Sequence, residues 1–445
     1  MSSTRRVRRT HAEGTPPVRR RELWAWAMFD FANSGYTTVV ITAVFNAYFV
    51  AVVAASARWA TLSWTLALSL SYALIVVTAP VLGAWADLHA RKKPLLLLSS
   101  VVCIAGTAAL AWCGRGDVAL ALGLVIVTNT AFGTGENLIA AFLPELADSK
   151  AMGRLSSWGW ALGYAGGLLV LALCLAWIQG AGARHATTDS AVAGSMLITA
   201  VAFAVASLPT FLLLKERAQP QADAASAWRT AWSRVHKALA GGHDLEDLQR
   251  FMWCIVCYQA GVATVIVIAA IYTQQALGFD TADSIKLILV VNISAALGAL
   301  AFGWIEDRIG HRATLALTLL GWLLAIALLW YSQTRTMVWL AANVAGVCLG
   351  ASQSSGRALV GYLCPPRREA EVFGLWGLAV KLSSILGPLG YGLVEWLSGG
   401  NHRVAMLATS VYFIGGLLLL VRVDVQRGHA LASGNPDRIR NSQAS

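Results

Sequence analysis

Apolar runs of about 20 or more residues, each long enough to cross a hydrocarbon core as a helix, recur twelve times along this chain. They fall at 24–49, 62–86, 94–113, 117–143, 155–178, 191–214, 251–276, 284–304, 313–331, 336–360, 371–397 and 403–421. A chain so built folds as an all-α membrane protein, because helices alone satisfy their own backbone groups in lipid without closing a barrel. The connections are short except for Lys215 to Arg250, which divides the runs six and six. The spacing predicts twelve transmembrane helices in two pseudo-symmetric six-helix bundles. Their bounds are 24–214 and 251–421, with a basic arm at 1–23, a connector at 215–250 and a tail at 422–445. Only 13% of the 445 residues are charged, about half the fraction of a soluble chain.

Basic residues set the expected orientation. Of 34 Lys and Arg, 26 fall in the terminal arms and in alternate connections, six (Arg58, Arg115, Arg184, Lys286, Arg335 and Arg403) fall on the opposite side, and Arg357 and Lys381 lie within spans. This bias predicts that both termini are cytosolic; the expected location is a bacterial inner membrane. Within the connector, Trp228, Trp232, Val235 and Leu239 recur at helical spacing with Arg229, Arg234 and Lys237 on other faces. They predict a short helix against lipid headgroups or against the base of the bundle.

Several classes are disfavoured. No GxxxxGK[ST] loop occurs, so an ATP-driven pump is not indicated. The net charge of +11 has no folded extramembrane face to display it, so no nucleic-acid partner is expected. Of the seven cysteines, the Cys254-x-x-Cys257 pair lacks a second pair or a histidine, so neither a metal nor a cofactor is expected.

Charged and amide side chains within apolar spans mark functional positions, because lipid does not accommodate them cheaply. Asp30, Asn33, Ser34 and Thr37 share one face of the first span at 100° per residue. The fourth span carries Asn129, Glu136 and Asn137, the seventh Gln259, the tenth Asn343, Gln353 and Arg357, and the eleventh Lys381. Asp30, Glu136 and Arg357 lie within about seven residues, roughly 10 Å, of the cytosolic ends of their spans, and are expected to meet in one layer.

Two connections repeat one pattern. GAWADLHARKK supplies Gly83, Asp87 and Arg91, and GWIEDRIGHR supplies Gly303, Asp307, Arg308 and Arg312. Glycine permits close helix approach, and an aspartate can accept from the exposed N–H groups at a neighbouring helix start. The pair reads as a gating loop in each half. With the six-plus-six layout, these loops resemble the major facilitator superfamily; the first copy has Leu88, His89 and Ala90 where the superfamily has a basic residue, a variable one and Gly.

WAMFDFANS, the stretch Phe142 to Gly167 and the stretch Ser355 to Gly392 further resemble its vacuole-effluxer-like family, whose fungal members are associated with amino-acid efflux. Two departures stand out: Asn46 lies where the family often has a nearby Pro, and the seventh span lacks the family's acidic residue. The resemblance implies a major facilitator fold with a central cavity lined by spans one, four, seven and ten, and access that alternates by rocking.

Two roles for the intramembrane charges stay open. In one, Arg357 neutralises a carboxylate and the network only fastens the halves. In the other, acids of the first half meet an ammonium and Arg357 or Lys381 meets a carboxylate, as suits a zwitterion, or a carboxylate carries a coupling proton. The expected function is secondary transport of a small polar, amino-acid-like solute by a monomer in contact with membrane lipids. Alternatives are an efflux carrier for drugs or other metabolites, an integral-membrane enzyme, and a receptor or scaffold that keeps the transporter fold.

Overall fold

The computed structural model describes residues 18–55, 59–148, 151–183, 187–220, 245–271, 281–332 and 334–432. The connector helix expected around Trp228 to Leu239 lies outside the described residues, as do residues 1–17 and 433–445 of the terminal arms. The described chain is helical, without strands.

Helix α1 is Arg20–Tyr36, continued in π-helical and short α turns to Val53; α2 is Ala60–His89, α3 Lys92–Ala109, α4 Val118–Ala140, α5 Met152–Ala183 and α6 Thr188–Leu213. After the connector come α7 (Glu246–Ile271), α8 (Thr281–Ile309), α9 (His311–Trp330), α10 (Arg335–Leu363), α11 (Glu369–Leu397) and α12 (His402–Val421). A short helix, α13 (Val425–Ala432), follows. Eleven helical segments among the described residues are long and apolar enough to span a membrane; α7, with 26 residues, stands seventh in the series.

Local chemistry sets several helix starts. Thr187 accepts from Ser190 N–H ahead of α6, Thr334 from Met337 N–H ahead of α10, and Asn401 from Arg403 and Val404 N–H ahead of α12, each satisfying N–H groups that have no carbonyl one turn back. Leucines and valines such as Leu62, Leu66, Leu70, Val77, Leu212, Leu297 and Val421 stand exposed, as an outer surface wetted by acyl chains requires.

Small residues bring helices together. Gly163 and Gly166 of α5 lie on α1, and a Cβ on Gly166 would strike the Phe31 carbonyl. Side chains of α10 from Ala345 to Gly361 are almost continuously buried, whereas Arg335, Thr336 and Leu340 at its other end are exposed. In α1, Ala25, Trp26, Ala27 and Phe29 are buried near the basic end, and Phe45, Phe49 and Val53 are buried again beyond the exposed Thr42 and Ala43. Along α10, burial is thus most continuous at the end where the basic loops lie.

Candidate functional site

At this basic face the first repeated loop holds the halves together. The Asp87 carboxylate accepts from the backbone N–H groups of Ala370 (3.1 Å) and Glu371 (2.8 Å) at the start of α11. Positive dipole and unsatisfied N–H groups make this the natural seat of a carboxylate. The contact requires Gly83, because a Cβ there would collide with the Ala370 carbonyl.

Beside Asp87, the fully buried Lys92 ammonium is bonded to Glu145, with Glu369 at 3.6 Å and Asp87 at 3.8 Å. Glu369 belongs to α11, so this lysine links the two halves. The connector joins the same cluster: Glu216 accepts from Lys92 and Lys93 N–H, and Arg217 pairs with Glu22 at 2.9 Å and donates its N–H to Glu145.

The second loop copies the first with altered partners. Asp307 lies 3.8 Å from Arg154 at the start of α5, and Gly303 seats Ser157. Glu306, one residue earlier, is buried, bonds His311 (2.6 Å) and accepts from Ser355 (3.1 Å). Arg312 donates to the Val421 carbonyl at the end of α12. Arg91 and Arg308 are exposed. Ala90 adopts a left-handed conformation (φ 52°), matching Gly310 (φ 84°) in the second loop.

One layer deeper, Asp30 of α1 receives Arg357 of α10 at 2.7 Å. Two further guanidinium donors go to α5: Nε to Ser156 Oγ (3.1 Å) and Nη2 to Ser156 O (2.9 Å). The guanidinium lies between two indoles, 4.9 Å from the Trp26 ring and 5.4 Å from the Trp160 ring. Trp26 is itself fixed by donating to the Ile139 carbonyl (2.7 Å). Gly159 gives the ion pair its room, because a Cβ would overlap both Asp30 Oδ2 and Arg357 Nη2.

Glu136 does not join this pair. It bonds Lys381 of α11 at 3.4 Å, with the Tyr72 ring 5.5 Å from the ammonium. This second pair is the more open, with side-chain exposures of 25% for Glu136 and 13% for Lys381, against 12% and 4% for Asp30 and Arg357. The expected meeting of Asp30, Glu136 and Arg357 thus resolves into two ion pairs, each with its acid on the first half and its base on the second.

Other singled-out residues are distributed differently. Gln259 donates to Gln353 (2.6 Å), linking α7 to α10, and Ser294 donates to Asn343 (2.6 Å), linking α8 to α10. Asn129 donates to Ser71 (2.6 Å) between α4 and α2. Asn33 is buried beside Ser99, Ser100, Cys103 and Phe203, inside the first bundle. Ser34 and Thr37 donate to carbonyls of their own helix. Asn137 is packed against Gly377 of α11, with its Nδ2 buried and unbonded.

Sequence reasoning missed Ser156, Gly159, Trp26 and Trp160 around Arg357, and Lys92, Glu145 and Glu369 around Asp87. Lys92 and Glu145 looked like ordinary loop charges, and the small residues of α5 looked like packing positions. The available signal was the crowding of small and hydroxyl residues in Ser156, Ser157 and Gly159.

Two bundles joined by cross-half ion pairs and by a repeated aspartate loop define a transporter of the major facilitator type. Its fold matches that of the human organic anion transporter MFSD10 (TM-score 0.69, 17% identity, 91% of this chain and 100% of the other). It also matches the E. coli fucose:proton symporter FucP (TM-score 0.69, 13% identity, 91% and 98%). The model of the vacuole effluxer Atg22-like family covers residues 51–154 and 147–433, and the chain belongs to that family. It is 24% identical over 406 residues to the uncharacterized MFS-type transporter YxiO of Bacillus subtilis, covering 90% of this chain and 94% of that one. Autophagy-related protein 22-1 of Aspergillus niger is 25% identical over 301 residues, 63% of this chain. The aligned region spans about half, 48%, of that fungal relative's length.

Proposed function

We propose that the protein carries a small zwitterionic, amino-acid-like solute across a bacterial inner membrane by alternating access, coupled to a proton, with its basic face in the cytosol. The observation that carries this reading is the Glu136–Lys381 pair. It places one acid and one base on opposite halves, 3.4 Å apart and more exposed than the Asp30–Arg357 pair. A zwitterion can take the place of that pair, its ammonium meeting Glu136 and its carboxylate meeting Lys381, so that no charge is left unpaired. Binding then links the halves through the solute.

The bonds of Asp87, Lys92 and Arg357 across the halves lie toward the basic face, which favours entry of solute to the pair from the other side. Opening the basic face requires Asp87, Lys92 and Arg357 to give up partners on the opposite half. The family's description as effluxers favours export, and a carboxylate in a partly wet site favours a proton as the driving ion.

The test is transport of an amino-acid panel into proteoliposomes under an imposed pH gradient. Glu136→Gln and Lys381→Met should each abolish counterflow of the transported amino acid, and the exchanged pair Glu136→Lys with Lys381→Glu should restore part of it. Flux unchanged in both single variants would remove the pair from the transport path, and flux indifferent to the gradient would remove the proton.

A further inference from the structure

We propose that the pocket around Arg357 is a second carboxylate-binding subsite, which Asp30 occupies in this conformation as a tethered stand-in for the carboxylate of a solute. The inference rests on the transport reading above and concerns a different set of residues.

Two buried, unbonded side-chain groups belong to the helices that hold the guanidinium, α10 and α5. Ser354, one turn before Arg357 on α10, is buried with no partner for its hydroxyl, although its carbonyl accepts from Ser156. The buried indole N–H of Trp160 is also unbonded, while its ring faces Arg357 at 5.4 Å. Trp26, on the guanidinium as well, has its N–H satisfied by Ile139. Buried polar groups in folded proteins nearly always find a partner, and an orphan carries a desolvation cost. Two unbonded groups on the helices that hold one cation leave spare capacity for an acceptor larger than a single short aspartate.

Asp30 itself fills the position such an acceptor would take, in the room that Gly159 leaves for Asp30 Oδ2 and Arg357 Nη2. Asp30 reaches it with one oxygen, since its hydrogen bond to Arg357 runs through Oδ2 and Nη1 alone. An untethered carboxylate in the same slot can meet the guanidinium with one oxygen and turn the other toward a hydroxyl or an indole N–H. Its arrival displaces Asp30, which then either takes up a proton or bears an unpaired charge. Asp30 is therefore a competitor for the subsite, and protonating or neutralising it frees Arg357.

The test uses purified full-length protein and radiolabelled propionate as the smallest carboxylate probe, read by scintillation proximity. Asp30→Asn should tighten propionate binding about tenfold or more, the scale of a charge-assisted hydrogen bond. Wild-type protein should gain affinity as pH falls. Ser354→Ala and Trp160→Phe, which delete only the donors, should weaken binding in the Asp30→Asn background and at low pH in the wild type. Unlabelled propionate should compete where propionamide and chloride do not; competition by chloride would make the pocket a general anion site and overturn the carboxylate assignment. Binding weakened or unchanged by Asp30→Asn would overturn the competition, and if that variant does not fold, donor variants indistinguishable from wild type at low pH would do the same. Because propionate binding needs neither Glu136 nor Lys381, the subsite stands or falls independently of the transport assay.

Discussion

Asp87 of α2 and Glu371 of α11 are 284 residues apart in sequence, yet one carboxylate oxygen of the first lies 2.8 Å from the backbone nitrogen of the second. A side chain of one half thus acts as the helix cap of the other. Replacing a capping aspartate with alanine costs about 1 kcal/mol. Asp87→Ala should accordingly lower the melting temperature in detergent modestly, and Asp87→Asn, which retains an acceptor, should lower it less.

Lys92 is the only cation within reach of three carboxylates from different elements, Asp87, Glu145 and Glu369, among the described contacts. Removing one partner of a buried ion pair strands the other and costs about 3–5 kcal/mol. Lys92→Met should therefore be more destabilising than Asp87→Ala. Adding Glu145→Gln should recover part of the loss, a non-additivity readable by thermal denaturation of the double variant.

Ala90 holds a left-handed backbone (φ 52°) at the turn between α2 and α3. A residue bearing a Cβ pays roughly 1–2 kcal/mol there relative to glycine. Ala90→Gly should raise the melting temperature, and Ala90→Val should lower it.

Cys364 sits at the end of α10, 4% exposed, and burial pushes its thiol well above the usual range, with Glu369 and Asp87 adding to the effect. A raised thiol is mostly protonated at neutral pH and reacts slowly. In a variant keeping only this cysteine, maleimide labelling should be slow, and faster when Asp87→Ala loosens the basic face. Rapid labelling of the unmodified face would contradict the tight packing seen there.

Much of the architecture was legible because lipid imposes a length and a polarity on each span, and those are one-dimensional properties. The aspartate loops were legible for a related reason: Gly83 and Asp87 carry their role in local spacing, and Asp87 does cap a neighbouring helix. Pairing was harder. Asp30, Glu136 and Arg357 were placed at similar depth, but depth along each helix does not say which helices are neighbours. Lys381 of α11, not Arg357, faces Glu136, and Asn33, on the same stripe as Asp30, turns into the first bundle. The setting of Arg357 was the least accessible, because Ser156, Gly159 and Trp160 act through the shape of α5 against α10, and their identities alone resemble ordinary helix-packing residues.

The π-helical turns of α1 between Thr37 and Ala43 bear on how such a helix could respond to cargo. Wide turns hold their backbone bonds one residue out of the usual ladder, and they concentrate where helices do functional work. Closing one such wide turn into a regular α turn would swing the side chains beyond it by about 100°, carrying Asn46 to a new bearing while Asp30 kept its place. The first helix thus carries a joint that begins about two turns beyond the carboxylate that clasps Arg357, between that fixed base and an outer tip seated by Phe45 and Phe49.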